Sequence, residues 1–127
     1  DHYQELGWRP GHGIYLEPDL LVAAADAVPP EISSDKIVLI IEFAKSSLDY
    51  DLGMKAQAYA DLGIPDYWVV DAVTLNTRVH RAPTPRGFND IVDVPVTGSL
   101  QPLLIPGVTV RLADFDFGTE GLGEDDP

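Results

Sequence analysis

A layered α/β domain with a mixed sheet is the fold class the sequence predicts, and three observations predict it. Ile37-Val38-Leu39-Ile40-Ile41 is apolar at every position, as expected of a strand covered on both faces. Residues 49–62 then switch to helical spacing, with Leu48, Leu52, Ala56, Tyr59 and Ala60 along one side. Asp66-Tyr67-Trp68-Val69-Val70-Asp71 reads as a second buried strand, followed by period-two alternation over 74–81. Strand, helix, strand and then hairpin-like strands make an α/β arrangement of the α+β kind.

Taken in order, the opening Gly7-Trp8-Arg9-Pro10-Gly11-His12-Gly13 is punctuated by glycine and proline and reads as loop, with a short extended piece at 14–16. Leu20 to Ala24, after Pro18-Asp19, is a brief strand. Residues 27–34 are turn material, because the two prolines remove donors and Ser-Ser-Asp favours local side-chain bonding. Lys36 to Ala44 is the central strand. Gly63-Ile64-Pro65 stops the helix. Over 74–81, Leu75, Val79 and Arg81 share one parity, and Asn76, Arg78 and His80 the other. Two more extended pieces follow, at 88–94 and 108–111.

Composition narrows the function classes. The chain has 127 residues with 8 bases against 21 acids, a net charge of −13. Nucleic-acid binders usually carry a basic footprint, since neutralising phosphates supplies most of their affinity, so this charge argues against a large contact of that kind. Five of the acids lie in the last twelve residues, with three glycines and no base, which read as an acidic flexible tail over 116–127. A single domain is expected over 1–115. The absence of cysteine excludes a disulfide scaffold and a thiolate zinc site. The longest apolar run is far short of the roughly 20 residues that span a bilayer, and the first residues are not a basic signal region. A soluble, cytoplasmic protein without a membrane partner is the expectation.

Three charged residues stand where burial makes charge expensive. By period two, Val38, Ile40, Glu42 and Ala44 share a strand face, so Glu42 extends an apolar row. Leu52, Lys55, Ala56 and Tyr59 fall at i, i+3, i+4 and i+7, which places Lys55 inside the apolar stripe. Asp19 precedes the Leu20 strand. Singly, each has a plainer reading: Asp19 as a turn residue, Glu42 as a solvated strand end, Lys55 as a snorkelling side chain or the partner of Asp51. Together they would form a carboxylate-carboxylate-lysine cluster.

These residues carry a family resemblance. Pro18-Asp19, Ile41-Glu42-Phe43-Ala44 with Ser46-Ser47-Leu48, Tyr50-Asp51-Leu52-Gly53-Met54-Lys55, Tyr59-Ala60 and Gly63 to Asp71 are similar to the Uma-two family of restriction-type endonucleases, a branch of the PD-(D/E)xK nuclease superfamily. The likeness runs from about Pro18 to Phe115 and includes Val79-His80-Arg81 and Leu104-Ile105-Pro106-Gly107-Val108; the block from Glu42 to Asp71 is its specific part. It implies a restriction-endonuclease-like mixed sheet with a helix after the central strand, binding Mg2+ or Mn2+ and hydrolysing phosphodiester bonds in DNA. Asp19 and Glu42 would be the metal-binding carboxylates, with the Phe43 carbonyl as a further oxygen ligand and Lys55 as the catalytic lysine. The usual superfamily lysine lies two residues after the acid; that place is Ala44, while Lys45 points to the opposite face and is left unassigned.

The resemblance also implies more chain before Asp19 than the 18 residues present. Family members usually carry an early helix with another acid, a role in which nothing places Glu5 or Glu17. A shortened chain would leave part of its core for a partner subunit, as in a homodimer, and the competing function is an inactive relative acting as a protein-interaction module. A different metal-dependent phosphodiesterase, acting on a nucleotide or RNA, would share the site and tolerate the acidic surface better. His2, His12 and His80 lack close metal-ligand spacing, and Gly11-His12-Gly13 is followed by no helix start. Ser46 and Ser47 lack nucleophile-elbow glycines. Trp8, Trp68 and Tyr67 could stack on bases, although core packing is the simpler reading for Trp68.

Overall fold

The computed structural model describes residues 8–11, 14–16, 18–24, 34–45 and 52–115. β1 (Trp8–Gly11) and β2 (Ile14–Leu16) pair antiparallel in a two-stranded sheet. Trp8 to Gly11 is thus strand rather than the loop expected from its punctuation; a two-stranded ribbon has open edges, where the missing Pro10 N–H costs no ladder bond. The main sheet has the order β3 (Leu20–Ala23), β4 (Ile37–Ala44), β5 (Asp66–Asp71), β6 (Thr77–Thr84) and β7 (Gly87–Val94). Among the described strands only β4 and β5 run parallel, and the crossover between them carries helix α1 (Met54–Asp61). The mixed sheet with a helix after its central strand is the expected arrangement.

Both faces of the sheet are covered. On the α1 side Ile40, Ala44, Tyr67 and Val69 pack with Ala56, Tyr59 and Ile64. On the other, Leu39, Trp68, Val70 and Val79 pack with Leu100 and Leu112 of the C-terminal segment. Trp68 is therefore a core residue. Strict alternation along β4 fails at one point: Val22 pairs with Leu39 but Ala23 with Ile37. The extra residue is a bulge, so Ile37 joins Ile40 on the helix side and Val38 packs on the other, against the period-two expectation.

Helix α1 has Gly53 at its N-cap, and Leu52 before it is also helical; residues 46–51, with Ser46, Ser47, Asp51 and the first part of the expected helix, lie outside the described residues. Its end matches expectation. Gly63 takes φ 75°, its N–H bonds the Ala60 carbonyl at 3.0 Å, and the Ile64 N–H bonds the Tyr59 carbonyl at 3.1 Å. This is a Schellman cap, with Ile64 and Tyr59 buried together as its hydrophobic contact. Thr74 to Asn76 is turn rather than strand, because the Asp71 carboxylate accepts the N–H groups of Val73 at 2.8 Å and Thr74 at 3.3 Å. The extended piece expected at 108–111 reduces to one bridge between Val110 and Leu100. The turn at 27–33, the tail at 116–127, His2, His12, Glu5 and Glu17 lie outside the described residues, as does the side chain of Trp8.

Two buried polar groups hold the sheet. Asp66 is fully buried and accepts from Arg81 Nε at 2.9 Å, Arg81 Nη2 at 3.3 Å, Trp68 Nε1 at 2.8 Å and the Leu103 N–H at 2.8 Å. His80 is buried in a cluster of three rings with Tyr67 and Phe88, with Nδ1 3.0 Å from the Tyr67 carbonyl, so the neutral ring donates through Nδ1. Burial lowers its pKa from 6.5. Below pH 6.5 the unfolded chain therefore binds more protons than the folded one. This part of the stability is complete above the unfolded value and declines as pH falls from there toward the lower folded value. Urea titrations from about pH 7 to about pH 5 should show the loss, and His80→Phe should flatten it.

Candidate active site

The start of β3, the end of β4 and the first turn of α1 converge on Glu42. Register puts Asp19 opposite it: Leu20 pairs with Ile41, and Asp19 is one step further. Pro18, which leads into this point, is buried. The Asp19 Oδ2 accepts the Phe43 N–H at 2.7 Å, supplying an acceptor where the β3–β4 ladder ends. Because N–H and C=O of one strand residue point to the same edge, the Phe43 carbonyl is directed toward the Asp19 side as well. The Phe43 side chain is exposed, on the opposite face from Glu42.

Glu42 is 2% exposed in the α1-side row. A buried carboxylate is tolerated only with partners. Its Oε2 accepts from Lys55 Nζ at 2.9 Å and from the Tyr59 hydroxyl at 3.1 Å, and its Oε1 lies 3.4 Å from the Asp19 N–H. Lys55 and Tyr59 are four residues apart, so one turn of α1 points both head groups at the same oxygen. The Lys55 side chain keeps 16% of its surface in solvent, which puts its ammonium at the mouth of the site.

The structure thus brings Asp19, Glu42 and Lys55 together, with Glu42 as the joint between the other two. Lys45 is exposed and takes no part. Tyr59 is the residue that sequence reasoning missed: its place in the apolar stripe concealed a hydroxyl with a buried partner, and its i+4 spacing from Lys55 was the available signal. Among the described residues, no group of three or more His, Asp or Glu side chains could hold a metal ion. Two carboxylates and a backbone carbonyl are what this corner offers, a hard oxygen set that suits an ion keeping several of its waters.

The row containing Glu42 continues across the sheet. Glu42 pairs with Val69, Val69 with Arg78, and Arg78 with Asp93, all facing the α1 side. Arg78 forks onto Asp93, with Nε–Oδ1 at 2.7 Å and Nη2–Oδ2 at 3.1 Å. That hydrogen bond raises the arginine pKa and lowers the carboxyl below its ordinary value.

The sequence model of the Uma2 family, described as "Putative restriction endonuclease", matches residues 2–113. No curated protein matches the chain. No helix among the described residues is long and apolar enough to cross a membrane.

Proposed function

The chain belongs to the Uma2 family, and from that premise we propose that it is a magnesium-dependent endonuclease hydrolysing phosphodiester bonds in DNA. The observation that carries this reading is the buried Glu42 carboxylate, held by Lys55 and Tyr59 and reaching the Asp19 N–H, with the Asp19 carboxylate bonded to the next residue, Phe43. Asp19, Glu42 and the Phe43 carbonyl are the groups that would hold Mg2+, or Mn2+ in its place, in a site completed by waters and a phosphate oxygen. Once bound, such an ion polarises the phosphate and lowers the pKa of a coordinated water.

The protein's own contribution is positional and electrostatic. Tyr59 and Lys55 both donate to Glu42 Oε2, which favours the orientation that leaves Oε1 toward Asp19. Asp19 in turn ties down the Phe43 backbone at the end of β4. Lys55, held at the mouth by Glu42, stands where an ammonium can stabilise negative charge developing on the phosphate oxygens.

Supercoiled DNA tests the proposal. Cleavage is expected with Mg2+, none with EDTA, and none from Asp19→Ala. Calorimetric titration should show Mg2+ binding weakened in Asp19→Ala by more than the roughly 10–100-fold that loss of an outer-shell partner costs. Cutting in EDTA, or unchanged ion binding by the variant, would overturn the assignment. The net charge of −13 favours a second reading, an inactive relative that works through protein contacts. That reading requires a wild-type chain that takes up no ion.

A further inference from the structure

A nuclease with this charge must meet its substrate through few cations. Beyond the Glu42 site, the α1-side face holds a cleft of about 360 Å3, lined by Leu52, Val69, Arg78, Asp93, Val94 and Pro95. Arg78 lies in the same cross-strand row as Glu42, two strands away. At about 4.8 Å between strands, that is roughly 10 Å. The rise of about 3.4 Å per nucleotide is measured along the helix axis, and phosphates on the outer wall of the duplex are further apart than that, so the separation corresponds to a phosphate one or two nucleotides from the scissile one.

Resting on the nuclease reading, we infer that Arg78 is a backbone-binding residue that takes a DNA phosphate flanking the scissile one, and that Asp93 occupies its fork until DNA arrives. Both nitrogens of the fork already face two oxygens of one planar acid, the geometry in which a guanidinium donates to a phosphate. The pair is exchangeable: Arg78 is 41% and Asp93 67% exposed, and ion pairs this open hold weakly. Asp71, the other acid lining the cleft among the described residues, is engaged with the N–H groups of Val73 and Thr74. The apolar walls at Leu52, Val94 and Pro95 border the cation without a competing donor and suit the sugar face of a strand. A resident carboxylate also limits binding of stray anions by a protein that has few cations to offer.

The test is binding of a short fluorescent duplex in Mg2+ across a salt series, with Lys55 in place and cleavage-resistant phosphorothioate linkages so that the duplex stays whole. Arg78→Ala should bind about tenfold more weakly and reduce the slope of log affinity against log salt by about 0.9, the loss of one phosphate contact. Asp93→Asn should bind more tightly than Asp90→Asn, which changes net charge equally but lies in β7 opposite Arg81, on the other face of the sheet. Unchanged affinity and slope in Arg78→Ala would overturn the inference, as would equal binding by Asp93→Asn and Asp90→Asn. Plasmid cleavage by the chain with Lys55 intact separates the premises. Cutting that is indifferent to Arg78 removes this inference alone, whereas neither cutting nor duplex binding removes it together with the nuclease reading.

Discussion

Lys55→Met is expected to cut supercoiled DNA at least about 100-fold more slowly than the wild-type chain at saturating Mg2+, because removing one preorganised donor from a developing oxyanion costs about 10²–10³ in rate. The difficulty is that Lys55 is also structural. Its ammonium is 2.9 Å from a carboxylate that is 2% exposed, and deleting it takes the cation from an oxygen that also accepts from the Tyr59 hydroxyl. Breaking a buried pair from one side destabilises by about 3–5 kcal/mol, and partial exposure of Lys55 brings the expectation toward the lower figure. Adding Glu42→Gln removes the stranded charge while keeping its shape. The doubly substituted chain should therefore recover part of the lost stability, a coupling readable from urea midpoints, yet remain inactive. Because Glu42→Gln also removes a proposed metal-binding carboxylate, the double variant reads stability, and Lys55→Met alone reads the part of Lys55 in cleavage; if the double variant cut DNA, the assignments of both Glu42 and Lys55 would fail.

The sequence disclosed this site because its members sit at positions whose geometry is local. Glu42 ends an apolar strand, Lys55 interrupts an apolar helix stripe, and Asp19 opens a strand; parallel placement of β4 and β5 needs the helix between them to lie across that end. What stayed hidden depends on register between distant segments. The β4 bulge exchanges Ile37 for Val38 on the helix side, and nothing in a run of five apolar residues marks which one is extra. Arg78 meeting Asp93, and Asp66 meeting Arg81, follow from hairpin alignment, not from composition. The early strand Trp8 to Gly11 carries glycine and proline that usually signal a loop, and only a partner strand makes it extended. Tyr59 shows the converse limit. An aromatic in an apolar stripe satisfies the core by its ring, so its hydroxyl contact is invisible until the facing residue is known.

Asp66→Ala is expected to cost about 3–5 kcal/mol of folding free energy, a large part of the 5–15 kcal/mol typical of a whole domain. The carboxylate accepts four hydrogen bonds from three residues, and its removal strands all of them at once. The buried Trp68 indole N–H and the Leu103 N–H lose their acceptor, and Arg81 keeps a half-buried charge. Arg81 also donates to the Gln101 carbonyl, so residues 101–103 are fastened to the sheet largely through this pair. Faster amide exchange at Leu103 should accompany the lower urea midpoint. Replacing both partners, as Asp66→Asn with Arg81→Met, should recover part of the loss, because no charge is then left uncompensated. The network faces away from α1 and the Glu42 row. Cleavage per folded molecule should consequently be unchanged in the double variant, in contrast to the Lys55 series, where stability and activity part company in the opposite sense.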